Sequence, residues 1–194
     1  LIECYIYKIK MIFKVLVVGV GNMGSSHARA YHKINDFKLV GLVSRTPNKR
    51  NKLAIELGDV PQFDNFDTAL KQADPDIVSI NSYTETHKEF AIKSLNNGSH
   101  IFIEKPLAEN IKDAKEIIDL AISKNKKIVV GYILRHHPTW QKFINLSQGL
   151  GSPLVMRMNL NQQSSEEQWE IHKNLMKSTS PIVDCGVHYV DITV

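Results

Sequence analysis

Short runs of branched apolar residues recur along the first two thirds of the chain. Each is followed by a longer stretch in which apolar residues return every three or four positions. The runs are Phe13–Val18, Lys38–Val43, Asp76–Ile80, His100–Ile103 and Lys127–Val130. Nearly continuous apolarity over such short lengths predicts strands covered on both faces, as in a parallel sheet. The intervening stretches Asn22–Ile34, Lys49–Leu57, Thr84–Asn96 and Asn110–Lys124 have the spacing of amphipathic helices. In the last of them Ile111, Ala114, Ile117, Ile118 and Ala121 share one face. Asn110 suits a helix N-cap, and Gly98, after Asn96-Asn97, suits a C-cap. Strand and helix in alternation predict a doubly wound α/β domain of the Rossmann type, placed at residues 11–134.

The rhythm changes after Gly131. Pro138–Leu146 predicts a short amphipathic helix, Gly149-Leu150-Gly151-Ser152-Pro153 a turn, and Leu154–Leu160 a strand. Val183, Val187, Val190 and Val194 predict a helix over Pro181–Val194. One strand and one helix make no independent core. Residues 135–194 therefore read as the start of an α+β second domain, truncated.

Composition narrows the class. The chain has 194 residues, 43% of them hydrophobic, enough for one buried domain and part of another. No apolar run approaches the roughly 20 residues that cross a bilayer, so no membrane partner is expected. Met11 reads as the natural start, with residues 1–10 an extension or an extra strand. Cys4 and Cys185 are too few and too far apart for a disulfide framework, which points to a reducing cytoplasm. The net charge of +4 suits a phosphate-bearing ligand, but no dense basic tract argues for nucleic acid.

The candidate chemistry begins at Gly19-Val20-Gly21-Asn22-Met23-Gly24, directly after the first strand and at the start of the first helix. In that context the pattern reads as a dinucleotide fingerprint. Gly19 permits the tight turn, Gly21 lets the backbone approach a pyrophosphate, and Gly24 lets helix and strand pack closely. Asn22 and Met23, at the start of the helix, are cofactor-binding candidates too, and the helix N-terminus favours the phosphates. At the end of the second strand, where an acidic residue would bind the ribose of NAD, stand Ser44 and Arg45, with Thr46 and Lys49 close behind. A hydroxyl and an arginine suit a 2′-phosphate, so NADP is expected and NAD remains possible.

Two further motifs carry a resemblance. One runs Asp76-Ile77-Val78-Ser79-Ile80, then His87, then Gly98-Ser99-His100-Ile101-Phe102-Ile103-Glu104-Lys105-Pro106. The other is Asp184-Cys185-Gly186-Val187-His188-Tyr189-Val190-Asp191. With the glycine motif and in this order, they resemble the Gfo/Idh/MocA oxidoreductases (glucose–fructose oxidoreductase, inositol dehydrogenase and relatives). The resemblance runs from about Phe13 to the C-terminus. Where many members have Thr-Pro after the fourth strand, this chain has Ser82-Tyr83. Ser178-Thr179-Ser180-Pro181 replaces their glycine-rich turn, and members are longer.

The resemblance implies hydride transfer between a nicotinamide cofactor and a sugar, polyol or similar hydroxyl or carbonyl compound, by a homo-oligomer. It assigns Lys105 to polarise the substrate oxygen, His188 to shuttle the proton and Asp184 to bind a substrate hydroxyl or orient His188. Glu104, Lys105, Ser82 and His87 fall at the cofactor loops, although His87, like His27, also reads as structural. Arg135 is the substrate candidate after the last strand. No metal is expected, since Asp184 and His188 lack an evident third ligand. A nucleotide-sugar dehydrogenase, an imine or conjugated-substrate reductase, and a non-catalytic dinucleotide-binding protein remain as alternatives.

Overall fold

The computed structural model describes residues 11–159, 165, 166, 169, 170, 173, 176, 180 and 182–194. The chain divides into two units, one ending at Val130 and one beginning at Gly131.

The first unit is built on a six-stranded sheet with the strand order β3-β2-β1-β4-β5-β6. The strands are β1 (Phe13–Val18), β2 (Phe37–Val43), β3 (Gln62–Phe63), β4 (Ile77–Ile80), β5 (His100–Ile103) and β6 (Ile128–Val130). Every pairing is parallel. The connecting helices are α1 (Asn22–Lys33), α2 (Pro47–Glu56), α3 (Phe66–Ala73), α4 (His87–Asn96) and α5 (Ile111–Ser123). A doubly wound Rossmann architecture is thus confirmed.

The near-continuous apolarity of the strands has a direct cause. Val15 and Val17 of β1 pack into one cluster with Ala28 of α1 and Leu53 and Ala54 of α2. Leu16 and Val18, pointing the other way, pack with Phe66 and Leu70 of α3, Ala91 and Leu95 of α4 and Ile117 of α5. Both faces of the sheet are covered, so the buried positions Val15 to Val18 are apolar on both sides.

Local signals set several boundaries. The Asn110 side chain accepts the Asp113 N–H at 2.9 Å and caps α5. Gly98 takes a φ of +90° just past the end of α4. Thr84–Thr86, expected at the start of α4, form a separate 3₁₀ turn. Neither β3 nor α3 was anticipated. β3 is two residues long and too short to show periodicity. α3 did carry a signal: Phe66, Ala69, Leu70 and Ala73 stand at helical spacing behind Asn65, which caps the Thr68 N–H at 2.9 Å.

In the second unit, α6 spans Pro138–Ser147. Residues 154–159 join no described ladder, and Leu160 lies outside the described residues. The strand expected at Leu154–Leu160 is thus not formed over 154–159, because a strand is stabilised only by a hydrogen-bonded neighbour. In place of one helix over Pro181–Val194, a π-helical turn at Ile182–Gly186 leads into a helix at Val187–Asp191. Gly186 sits at the junction, where its weak helix propensity favours a break. Pro181 and Ser178-Thr179 lie outside the described residues, as do residues 1–10.

Candidate active site

The strand order reverses between β1 and β4, so the loops after these two strands diverge and leave a crevice at the carboxyl ends of the strands. The crevice has a volume of about 710 Å³. Its walls come from the turn after β1 and the first residues of α1 (Gly19 to Met23), the loop after β2 (Ser44 to Thr46, with Lys49), the Asp64–Asp67 segment, and the loop after β4 (Asn81 to Tyr83).

The three glycines serve three separate needs. Gly19 holds a φ of +85°, and a Cβ there would lie 2.6 Å from the Asn81 carbonyl oxygen. A Cβ on Gly24 would lie 1.8 Å from the Gly19 carbonyl oxygen, so any side chain would drive α1 off the turn. A Cβ on Gly21 would meet nothing within 4 Å. Gly21 therefore faces the crevice, where a side chain would occupy ligand space and nothing else. α1 starts immediately after it with no side-chain cap and no acidic residue in its first turn. Its first N–H groups are left for an anion. On the crevice floor, Asn81 donates from Nδ2 to the Ser79 carbonyl at 3.0 Å. Its buried Oδ1 has no hydrogen-bond partner among the described residues. A glycine approach path, an uncapped helix N-terminus and an unmatched acceptor together fit a dinucleotide.

The loop after β2 is rigid where it matters. The Thr46 N–H donates to Ser44 Oγ at 3.2 Å. The Arg50 guanidinium donates to the Ser44 carbonyl and, at 3.1 Å, to that of Phe63. Arg45 is exposed on this braced turn and lines the crevice together with Lys49. On the loop after β4, Ser82 Oγ and Thr86 Oγ1 lie 2.7 Å apart. Tyr83, Thr86, Glu89, Phe90 and Lys93 add to that wall, and the last four were not foreseen. Nor was the Asp64–Asp67 wall, which belongs to the unforeseen β3–α3 connection.

Two foreseen cofactor residues stand behind the crevice wall. His87 is 1% exposed, and its two ring nitrogens lie 2.8 and 3.1 Å from the carbonyl oxygens of Pro106 and Ser82. Both edges of the ring are thus occupied, and a direct cofactor contact by His87 is corrected to a bridge between two loops. Burial pushes its imidazole below the ordinary value, against the carbonyls and the Glu104 charge. Glu104 is 7% exposed and is held by His27 Nε2 at 2.8 Å. Lys105 follows, half-buried on the loop after β5, with a cis bond to Pro106.

In the second unit, Arg135 forms a bidentate pair with Asp191 at 2.7 and 2.6 Å. Nε and Nη2 of Arg135 thus tie it to the Val187–Asp191 helix, while its side chain stays exposed. His188 is the second residue of that helix, with its ring edge-on to Tyr132 at 6.4 Å. Asp184 lies in the π-helical turn, so the simple four-residue α-helical relation between the two does not hold. Among the described residues no cluster of His, Cys, Asp or Glu could hold a metal ion. No described helix is long and apolar enough to cross a membrane.

A doubly wound parallel sheet with a glycine-lined crevice at its switch point defines a dinucleotide-binding fold. Residues 13–132 match the model of the oxidoreductase family with an NAD-binding Rossmann fold, and the chain belongs to this Gfo/Idh/MocA family. It is 27% identical over 184 residues to D-glucoside 3-dehydrogenase of Escherichia coli (strain K12), covering 92% of this chain and 52% of that protein. It is 29% identical over 177 residues to UDP-N-acetylglucosamine 3-dehydrogenase of Acidithiobacillus ferrooxidans, covering 91% and 52%. Apo scyllo-inositol dehydrogenase from Lactobacillus casei superimposes with a TM-score of 0.68 at 29% identity, covering 73% of this chain and 43% of that one. The chain spans about half the length of the curated relatives it matches.

Proposed function

We propose that this protein is an NADP-preferring oxidoreductase that takes hydride from a hydroxyl-bearing carbon of a sugar, polyol or related compound, or returns it to the corresponding carbonyl carbon. The observation that carries the reading is the crevice itself. Gly21 opens onto ligand space before an uncapped helix N-terminus, and the braced Ser44–Thr46 turn presents Arg45 with Lys49 nearby. When bound, the nicotinamide supplies or accepts the hydride. The chain's residues do the rest. Backbone N–H groups of α1 hold the pyrophosphate, and Arg45 and Ser44 take the 2′-phosphate.

Lys105 polarises the substrate oxygen with its positive charge. His188 carries the hydroxyl proton and Asp184 engages a substrate hydroxyl, roles that rest on the family motif. The relatives are named for a glucoside, a nucleotide sugar and an inositol, which supports a polyhydroxylated substrate. The nucleotide-sugar relative favours a nucleotide sugar as the second reading. A chain with only two cysteines, far apart in sequence, supports a reducing cytoplasm. Exposed apolar residues of the second unit, Ile182 and Val190 among them, support a homo-oligomer.

Fluorescence titration with both reduced cofactors tests the reading. NADPH should bind more tightly than NADH, and Arg45→Ala should weaken NADPH selectively by about tenfold. Equal affinities, or tighter NADH, reject the NADP preference. Under conditions where the wild type turns over a panel of sugars and polyols, Lys105→Met should keep cofactor binding and lower kcat by about 10²–10³-fold. A variant within a few-fold of wild type rejects Lys105 as the polarising group.

A further inference from the structure

The segment Glu104-Lys105-Pro106 is gripped from both faces of the sheet. α1 packs on the face carrying Val15 and Val17, and α4 on the face carrying Leu16 and Val18. From the first side, His27 of α1 places Nε2 2.8 Å from Glu104 Oε1 while its ring lies against Phe102 at 4.6 Å. In the tautomer that carries its proton on Nε2, the ring donates to Glu104. The other carboxylate oxygen, Oε2, accepts the backbone N–H of Lys105 at 3.3 Å. From the second side, His87 Nδ1 lies 2.8 Å from the Pro106 carbonyl oxygen, and Nε2 lies 3.1 Å from that of Ser82. A neutral ring has one N–H and donates to one of these carbonyls at a time.

Neither histidine lines the crevice. Both spend their hydrogen bonds on the residues that flank Lys105. His27 reaches the preceding residue and, through it, the Lys105 backbone. His87 reaches the following residue and also the loop after β4 that forms a crevice wall. His27 sits on the helix whose N-terminus follows Gly21, so the chain of contacts runs from the phosphate end of α1 to the lysine.

We propose that His27 and His87 are positioning residues that clamp the backbone on either side of Lys105 and so set where its amine stands. The proposal rests on the function given above for its importance, but the clamp itself is read without cofactor. The test measures acylation of individual lysines by a small N-hydroxysuccinimide ester, followed by peptide mass spectrometry on cofactor-free protein. His27→Phe and Glu104→Gln should each change the Lys105 labelling rate by about fivefold, the scale of one lost hydrogen bond. The rates at the exposed Lys115 and Lys142 should hold. His87→Phe should act like His27→Phe, and His87→Gln, which keeps an N–H donor, should return the rate toward wild type.

Unchanged Lys105 labelling in folded His27→Phe and Glu104→Gln overturns the clamp. So do equal changes at Lys115 and Lys142, which would mean general loosening, and so does a His87→Gln rate no different from that of a folded His87→Phe. If His87→Phe fails to fold, the His27 and Glu104 variants decide. Adding NADPH to the wild type separates the two claims. Absence of Lys105 protection counts against the proposed function, while the cofactor-free rates still decide the clamp.

Discussion

The two units treat their apolar residues in opposite ways. Up to Val130, hydrophobic side chains fill two clusters, one on each face of the sheet, and Leu16, Ile80, Leu95 and Ile103 are wholly buried. From Gly131 onward, no described hydrophobic side chain is buried. Val155 is 94% exposed and Ile182 74%. What order the second unit shows comes from contacts at close range: Trp140 edge-on to Phe143 and Tyr189, and the Arg135–Asp191 pair. A parallel sheet with helices on both sides satisfies its strands internally. Short helices and an unpaired extended segment do not, and their apolar groups stabilise nothing until a surface covers them.

Substitutions at glycines should expose this contrast most strongly. Gly24→Ala puts a Cβ 1.8 Å from the Gly19 carbonyl oxygen and should cost the first unit more than about 4 kcal/mol in denaturant unfolding. Gly186→Ala, whose Cβ would meet Ile182 at 3.3 Å from Cγ2 and 3.6 Å from Cβ, should change stability by less than about 1 kcal/mol. Comparable losses would break the comparison. Side-chain truncation sharpens it at the next scale. Ile103→Ala should cost about 2–5 kcal/mol. Val155→Ala should stay within about 0.5 kcal/mol by the same measurement.

Limited trypsin digestion reads local opening directly. Cleavage after Arg157, in the unpaired segment, should be about a hundredfold faster than after Lys38 in β2. Equal rates would show the second unit to be as protected as the first.

The smallest expected effect is on pH dependence. The folded His87 imidazole lies below its ordinary value of 6.5 because it is buried, and His100 is lowered in the same direction, also chiefly by burial. As pH falls through the ordinary value, the unfolded chain binds protons that the folded unit does not, so stability is lost on the acid side. The Tm of the first unit should therefore drop between about pH 7.5 and about pH 5.5, with a shallower slope in His87→Gln. A slope unchanged in that variant would remove His87 from the balance.

Much of the first unit was legible because its signals are local. Strand runs, helical spacing, the Asn110 cap and the glycine turn each depend on a few adjacent residues, and a doubly wound sheet repeats them. The wall formed by Asp64–Asp67 was missed because β3 is two residues long. The helix behind that wall could have been found from Phe66, Ala69, Leu70 and Ala73. The second unit misled for a related reason: alternation at 154–160 and valine spacing at 183–194 record faces that could be buried, not a partner that buries them.

Residues 13–130 carried in their order alone the fold class, the dinucleotide turn and the family motif around Lys105, because those depend on steric needs at adjacent positions and on a hydrophobic period. Only the tertiary structure decided what His27, His87, Glu104 and Arg135 do. A histidine near a cofactor loop in sequence can point into the crevice or behind it. Here, packing from opposite faces of the sheet turns His27 and His87 onto Glu104 and Pro106. A lone arginine fork accepts whichever carboxylate the fold brings within reach, and for Arg135 that is Asp191. Such choices are made between residues far apart in the chain, where no local pattern records them.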